Sequence, residues 1–379
     1  MRILFITPFN LFPPYWGGGV RTYNLIKYLA KKHDIYLIFP SYEQLKNKDS
    51  KRYRNELEKL NVKIFIIKPL INLLKRPIIE HLNPFFFFRC LDIIISEKID
   101  LILCDYPWSG TYVFGLYFLT RKPFILIEHN IEYLVKKQIK AKFVRLMKII
   151  ELLLCKHAKK ITVVCNKDKQ KLFELGIDKR KIFVIENGFD EQTFYPSQKY
   201  NEKIRKELDI GKDPLMLFCG KLDYPPNKEA VYIIRWEILP KVLEKIPNSK
   251  FLVVGGGYEF EIKHDSLIFT GIVDNIERYI NASDVVINPL LKGGGTRIKV
   301  LEAIACGKTV ISTKKGVEGL TNKLTRPFLK LADDWDDFSN LIVESIKSSS
   351  HRKVPKEFVK KYSWQNTYRK MDEILKQSI

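Results

Sequence analysis

Short, unbroken apolar runs separated by helical stretches leave this chain few folds to choose from. In the first half they are Arg2–Ile6, Ile35–Phe39, Val62–Ile67, Leu101–Cys104, Pro123–Ile127, Ile161–Cys165 and Ile182–Ile185. Runs this short, with no apolar–polar alternation, belong to strands covered on both faces. Helical periodicity fills the gaps, as over Val20–Lys31, Glu43–Leu60 and Ser109–Leu119, which makes the sheet parallel. A polar, lysine-rich stretch over 191–205 reads as a linker. From Pro214 the pattern restarts with Leu215–Cys219, Phe251–Val254, Leu267–Thr270, Val285–Asn288, Thr309–Ser312 and Phe328–Leu331. Trp335–Ser348 and Ser363–Gln377 read as terminal helices. The predicted fold class is α/β: one Rossmann-like domain over residues 1–190, a second over 206–350, the two facing each other across a cleft, and C-terminal helices over 351–379.

The 379 residues suffice for two cores, and a composition 46% hydrophobic and 28% charged argues against disorder. Cys90, Cys104, Cys155, Cys165, Cys219 and Cys306 form no CxxC pair and no cluster with histidine. They read as core thiols of a reducing compartment, and no metal is expected. The apolar core of Met1–Asn10 is only Ile3–Ile6, closed by Pro8, too short for a signal peptide. No run approaches the length of a membrane span, so a soluble, cytoplasmic protein is expected. The formal charge of +22 is uneven: Lys136–Lys181 holds 15 Lys and Arg against Glu151, Asp168, Glu174 and Asp178. Such a concentration implies an anionic partner, whether lipid headgroups, nucleic acid or a phosphorylated substrate.

The stretch with most chemical content is Lys292–Thr313, KGGGTRIKVLEAIACGKTVIST. It reads as a glycine loop (Gly293, Gly294, Gly295), an N-cap at Thr296, a short helix and a strand. Arg297 and Lys299 fall in the expected first turn, where the helix's partial positive charge disfavours cations. A bound phosphate reverses that preference, because backbone N–H groups and both cations converge on it. Glu302 follows as an acceptor for a pair of sugar hydroxyls. The plain alternative is a Lys299–Glu302 surface ion pair beside a solvated Arg297, which leaves the triple glycine unexplained.

Similar features recur along the chain. A loop over Thr7–Gly19 ends in Gly17-Gly18-Gly19 before a helix opening with Val20-Arg21, without the spacing of a dinucleotide fingerprint. Glu128-His129-Asn130-Ile131-Glu132 follows a strand, where α/β enzymes place their chemistry. Within Ile71–Glu97, Phe85–Phe88 cannot all face inwards on one helix, so either burial on several sides or a lipid-facing surface is expected. Ile131–Lys160 reads as one long amphipathic helix with a basic face, suited to core packing or to a membrane surface. Asn187-Gly188-Phe189-Asp190 forms a turn, and Gly220, Gly255–Gly257, Gly271 and Gly293–Gly295 follow successive second-half strands.

These segments together resemble family-four glycosyltransferases of the GT-B fold. The carriers are FCGKLDYPPNKEA (Phe218–Ala230), FTGIVDNIERYINASDVVINPL (Phe269–Leu290), GGGTRIKVLEAIACGKTVISTKKGVEGL (Gly293–Leu320), ENGFD (Glu186–Asp190) and EHNIE (Glu128–Glu132). The resemblance implies a second domain that binds a nucleotide-diphosphate sugar, with UDP or GDP as the nucleotide. Lys221, Arg297 and Lys299 would hold the diphosphate, with Gly294, Gly295 and Thr296 in the loop around it. Glu302 would take the ribose hydroxyls, and Gly271–Val273 would meet the base through backbone. His129, Arg297 and Glu302 would be catalytic, and Gly18, Gly19, Arg21, Asn130 and Glu132 would lie on the acceptor side. The last helix would pack back towards the first domain. Transfer would retain anomeric configuration and need no cofactor or metal. The acceptor would be a lipid-linked or cell-surface glycan precursor, and the basic segment 136–181 would meet the inner membrane face. Of the family's two glutamates seven residues apart, only Glu302 is present, and Gly294 stands at the first position, which usually contacts the donor sugar. A GT-B isomerase or hydrolase, a silent GT-B scaffold and a basic nucleic-acid-binding protein are the competing readings. No nucleic-acid-binding module supports the last.

Overall fold

A computed structural model describes residues 1–41, 48–68, 83–348 and 352–378. The expected helix start at Glu43 and the part of Ile71–Glu97 before Asn83 lie outside the described residues. Two compact units divide the chain: unit 1 is Met1–Glu186 with Gln365–Ile379, and unit 2 is Asn187–Trp364.

Unit 1 runs β1 (Arg2–Ile6), α1 (Gly17–Leu29), β2 (Asp34–Pro40), α2 (Lys48–Glu58), β3 (Lys63–Ile67), α3 (Pro84–Ser96), β4 (Leu101–Asp105), α4 (Gly110–Thr120), β5 (Phe124–Ile127), α5 (Glu132–Gln138), α6 (Val144–His157), β6 (Lys160–Val163), α7 (Asn166–Glu174) and β7 (Ile182–Val184). The strands form one parallel sheet in the order β3-β2-β1-β4-β5-β6-β7. Unit 2 runs α8 (Gln198–Glu207), β8 (Leu215–Cys219), α9 (Pro225–Ile233), α10 (Leu239–Lys245), β9 (Lys250–Val254), β10 (Leu267–Gly271), α11 (Ile276–Ala282), β11 (Val285–Asn288), α12 (Ile298–Ala305), β12 (Thr309–Thr313), β13 (Leu329–Ala332), α13 (Trp335–Lys347) and α14 (Lys356–Tyr362). Its parallel sheet has the order β10-β9-β8-β11-β12-β13. Buried central strands with no exposed residue, such as β4, β8 and β11, explain the continuous apolar runs.

Three sequence expectations are corrected. The linker over 191–205 largely belongs to α8, which packs on α11 through a single buried residue, Ile204. The glycines before Val20 are not loop: α1 begins at Gly17. The long helix over Ile131–Lys160 breaks into α5 and α6, with Lys140 and Phe143 at φ of 53° and 60°. The break lets α6 double back, so that the Glu151 carboxylate accepts the N–H groups of Glu132 and Tyr133 at 2.8 Å, capping the start of α5.

The last helix, α15 (Trp364–Lys376), belongs largely to unit 1. The Tyr368 hydroxyl donates to the Arg21 carbonyl at 2.7 Å, and Lys370 pairs with Glu186. Asp372 is buried and accepts from Lys32 at 2.8 Å and meets His33 Nε2 at 3.0 Å. Burial would raise its pKa, but the Lys32 and His33 hydrogen bonds win and hold the carboxyl down to about 2. A carboxyl depressed in the folded state stabilises fully above its unfolded value and loses that contribution as pH falls through the folded one. Asp372→Asn should therefore lower unfolding free energy at neutral pH by ~1–2 kcal/mol. In urea titrations, the gap between the two proteins should close as the pH falls towards about 2.

Strand order reverses direction between β1 and β4 in unit 1 and between β8 and β11 in unit 2. Open parallel sheets carry their ligand crevice at the carboxyl ends of such a pair.

Candidate active site

In unit 2, the chain leaving β11 passes through the triple glycine. Gly293 and Gly295 have φ of 115° and 64°, and a Cβ on Gly293 would stand 2.6 Å from the Arg297 guanidinium. Arg297 is not in the first turn of α12 but is its N-cap residue, and its guanidinium donates to the carbonyls of Gly294 and Lys292. It braces the glycine loop from beneath. Thr296, the expected cap, cannot serve: its hydroxyl and carbonyl both accept from Asn187 Nδ2 at 2.9 Å. The Asn187–Asp190 turn therefore fixes where the loop meets the helix. Gly188 allows it, since a Cβ there would lie 2.7 Å from the Tyr362 carbonyl. The first turn of α12 holds no acid. The start of a helix with cations adjoining it suits an anion.

Lys299 reaches from α12 to the end of β8. Its ammonium donates to the Cys219 carbonyl at 2.8 Å, meets Asn227 Oδ1 at 3.5 Å and lies 4.2 Å from the Phe218 ring centre. Burial first, then the charge of Arg297, pushes it down to about 8. One turn on, Glu302 is half-buried, and no donor reaches its carboxylate among the described residues. Burial, then the negative charge of Glu277, pushes it up to about 8. Lys221 follows β8, is exposed, and pairs with Asp223 at 3.3 Å. A Cβ on Gly255 would lie 1.9 Å from the Gly220 carbonyl, and Gly255 N–H donates to Gly271 at 2.9 Å. The glycine turns after β8, β9 and β10 thus form one backbone-lined edge. Gly271 takes φ of 70°, and the Val273 side chain packs partly against the core while Ile272 is exposed. Asn227, which also donates to the Lys221 carbonyl at 2.8 Å, is an organiser that sequence reasoning missed. Its signal is its place within the Phe218–Ala230 segment.

In unit 1, the ends of β1, β4 and β5 gather a second constellation. His129 Nε2 lies 2.7 Å from Asp105 Oδ1, and Asp105 Oδ2 accepts from Thr22 of α1 at 3.0 Å. A carboxylate only accepts, so Nε2 carries a proton towards Asp105 and the opposite ring nitrogen, Nδ1, is the one left for other partners. The Tyr106 ring stacks on His129 at 4.0 Å and 11°. Tyr106 pays for that position with φ 61° and ψ 149°, a region sparsely populated by any residue but glycine. Gly18 is required here, because a Cβ would fall 1.7 Å from the Tyr106 hydroxyl, and Gly19 lies against the Trp16 indole. Asp105 and Tyr106 were absent from the sequence reading. An acid ending an apolar run was the available signal.

The EHNIE segment divides by burial. Glu128 turns inwards, where burial and surrounding carboxylates, Glu151 first, push its carboxyl well up; its Oε2 meets no hydrogen-bond partner among the described residues. Asn130 donates to the Glu132 carboxylate at 2.9 Å, and Glu132 is itself buried in the first turn of α5. Arg21 requires a correction. It is not an acceptor-facing cation, since it is fully buried and its guanidinium donates to the Ile185 carbonyl at 2.8 Å, tying α1 to the strand end. A residue in the second turn of α1 faces the sheet, which the glycine-then-cation pattern does not reveal.

Comparison with known proteins gives a consistent result. A family model described as Glycosyltransferase Family 4 matches residues 16–193, and one described as Glycosyl transferases group 1 matches residues 213–348. An uncharacterized glycosyltransferase of Methanocaldococcus jannaschii is 22% identical over 401 residues, spanning 97% of this chain and 98% of the relative. The UDP-Gal:alpha-D-GlcNAc-diphosphoundecaprenol alpha-1,3-galactosyltransferase of Escherichia coli is 28% identical over 233 residues, 57% of this chain and 59% of that protein. Among solved structures, Anabaena HepE in complex with UDP superposes with a TM-score of 0.77 at 16% identity over the whole of both chains. Sucrose-phosphate synthase from Thermosynechococcus elongatus gives 0.78 at 17% identity, covering 100% of this chain and 98% of that one. The two parallel-sheet units are those of the GT-B fold.

Proposed function

Because the chain belongs to the family-four, group 1 glycosyltransferases and is a nucleotide-sugar-dependent enzyme, we propose that it transfers a hexose from a UDP-sugar to a lipid-linked glycan precursor, with retention. The observation that carries this reading is the convergence of the glycine loop, Arg297, Lys299 and Glu302 at the β8–β11 switch of unit 2. Diphosphate would lie at the start of α12, held by Arg297 and Lys221, with Lys299 behind them. Ribose hydroxyls would meet Glu302, and the base would meet the backbone at Gly271–Val273. Cations and helix N–H groups neutralise the leaving diphosphate, so the reaction calls for no metal and no resident cofactor. UDP is favoured over GDP because HepE was solved with UDP and with UDP-glucose, and the Escherichia coli relative is named for UDP-Gal. The latter name also supports an undecaprenol-linked acceptor. Within unit 1, His129 is the catalytic side chain, and Gly18, Gly19, Asn130 and Glu132 belong to the acceptor side.

The test is thermal stabilisation by UDP, GDP, ADP and their sugar conjugates. A nucleotide at about 100 times its dissociation constant stabilises by roughly 2.7 kcal/mol. UDP compounds should raise the melting temperature, and Arg297→Ala should abolish the rise. No shift with any nucleotide would remove the site from unit 2, and product formation without acceptor would make the protein an isomerase or hydrolase.

A further inference from the structure

The outer faces of α3, α4 and α6 carry a surface that glycosyl transfer does not use. These helices lie side by side in unit 1, with Phe118 of α4 and His157 of α6 at a ring separation of 6.0 Å. On α6 the core side is Leu154 and Cys155, with Met147 and Ile150 partly buried. The opposite side should then be polar. Instead Phe143, Leu146, Ile149 and Leu153 recur there at helical spacing and are all exposed, Phe143 by 62% and Ile149 by 56%. The row continues on α4 with Leu119, 65% exposed, and on α3 with Phe85 and Phe88, 65% and 63% exposed. Phe85–Phe88 divide accordingly: Phe86 is core, Phe87 is half-buried, and the outer two belong to this surface.

Along α4 and α6 the exposed charge is of one sign, while on α3 Arg89 and Asp92 pair with each other. Between Gly110 and Lys160 there are eleven Lys and Arg and three acids. All three acids, Glu128, Glu132 and Glu151, are buried, and none of the eleven cations is. Lys142, Arg145, Lys148 and Lys156 flank the apolar row on α6 directly. A second copy of this face would bring like charges together, which disfavours a homodimer through it. Nucleic acid would leave the aliphatic Leu119, Leu146, Ile149 and Leu153 uncovered, since its phosphates take only the cations and its bases stack only on rings. An anionic bilayer meets both requirements, since headgroup phosphates take the cations and acyl chains take the apolar row. No described helix is long and apolar enough to cross a membrane, so α6 would lie in the interface plane.

We infer that the α3–α4–α6 face is a docking surface for an anionic lipid bilayer, entered by Phe143, Ile149 and their neighbours and ringed by the cations of α6. The experiment is flotation of the whole protein with vesicles of phosphatidylcholine alone or with a quarter phosphatidylglycerol, at low and high salt. Binding should need the anionic lipid. The triple variant Lys142→Gln/Arg145→Gln/Lys148→Gln should weaken it by about a hundredfold, given roughly a fivefold loss per cation at such a surface. Phe143→Ser/Ile149→Ser should abolish the fraction that survives high salt, which charge alone cannot hold. Both variants alter exposed side chains and should keep the wild-type melting temperature and the shift with UDP. The inference is overturned if wild type ignores anionic vesicles at low salt, or if the apolar variant binds them as wild type does. It is also overturned if nucleic acid displaces the vesicles, or if sedimentation shows a dimer that Ile149→Ser dissociates.

Discussion

Glu302→Ala should lower turnover by about 10²–10³-fold while leaving the melting temperature of the free protein unchanged or raised. The carboxylate is half-buried on α12 with no donor from the described chain, and burial with the Glu277 charge already pushes it up to about 8. Two ribose hydroxyls would supply the missing hydrogen bonds, and only the ionised form accepts both. Near pH 7 most of the free protein therefore loses a proton when it binds nucleotide. Affinity should climb by up to about tenfold per pH unit towards pH 8. Above that the trend turns, because Lys299, pushed down to about 8, surrenders its charge beside the diphosphate. Calorimetric titration with UDP should show a maximum near pH 8, and Glu302→Gln should flatten the acidic limb. Full activity in the alanine variant, or a flat profile in wild type, would take Glu302 out of the site.

A comparable loss is expected far from the glycine loop. Asp105→Asn should reduce kcat/KM by about 10²–10⁴-fold, the range for a misplaced acid–base or orienting group. An amide can present either oxygen or nitrogen to His129 Nε2, so the imidazole loses its fixed tautomer although the 2.7 Å contact can survive. Asp105 is a positioning residue, and its effect should be absorbed by that of His129. Adding Asp105→Asn to His129→Ala should cost little more than His129→Ala alone, as expected for groups acting as a unit. The UDP melting shift should persist in all three proteins. Independent, additive losses would instead mean that Asp105 serves folding through Thr22.

What was readable in the chain follows from how much of each feature is local. β8 and β11 begin and end where the apolar runs do, because a strand buried on both faces is filled almost wholly by apolar residues, with Asn288 closing β11. The break between α5 and α6 was hidden because apolar Leu134, Ile139, Phe143 and Leu146 recur across it with lysines between them, and no Gly or Pro marks the turn. The α8 segment looked like a linker because a helix with one buried residue has almost no apolar pattern. At the site, the glycine loop and its cations were visible as composition. The division of labour among them was not: Arg297 turns back on the carbonyls of its own loop, while Arg21 is buried against Ile185 and Asp105 orients His129, the last two through partners distant in sequence.

The return of α15 to unit 1 also sets the order in which the molecule can be made. Unit 2 is one uninterrupted segment, Asn187–Trp364, inserted within a unit whose own pieces are separated by its whole length. During synthesis the first 186 residues emerge early, yet Asp372 and Tyr368, which seal α1 and the end of β2's approach, arrive last. The inserted unit has every one of its strands before then and can complete its sheet on its own, as contiguous domains do. Once residue 364 has cleared the ribosome, the second unit can therefore be finished while the first is still open. Loss of the final helix would expose the core of the part that was translated first.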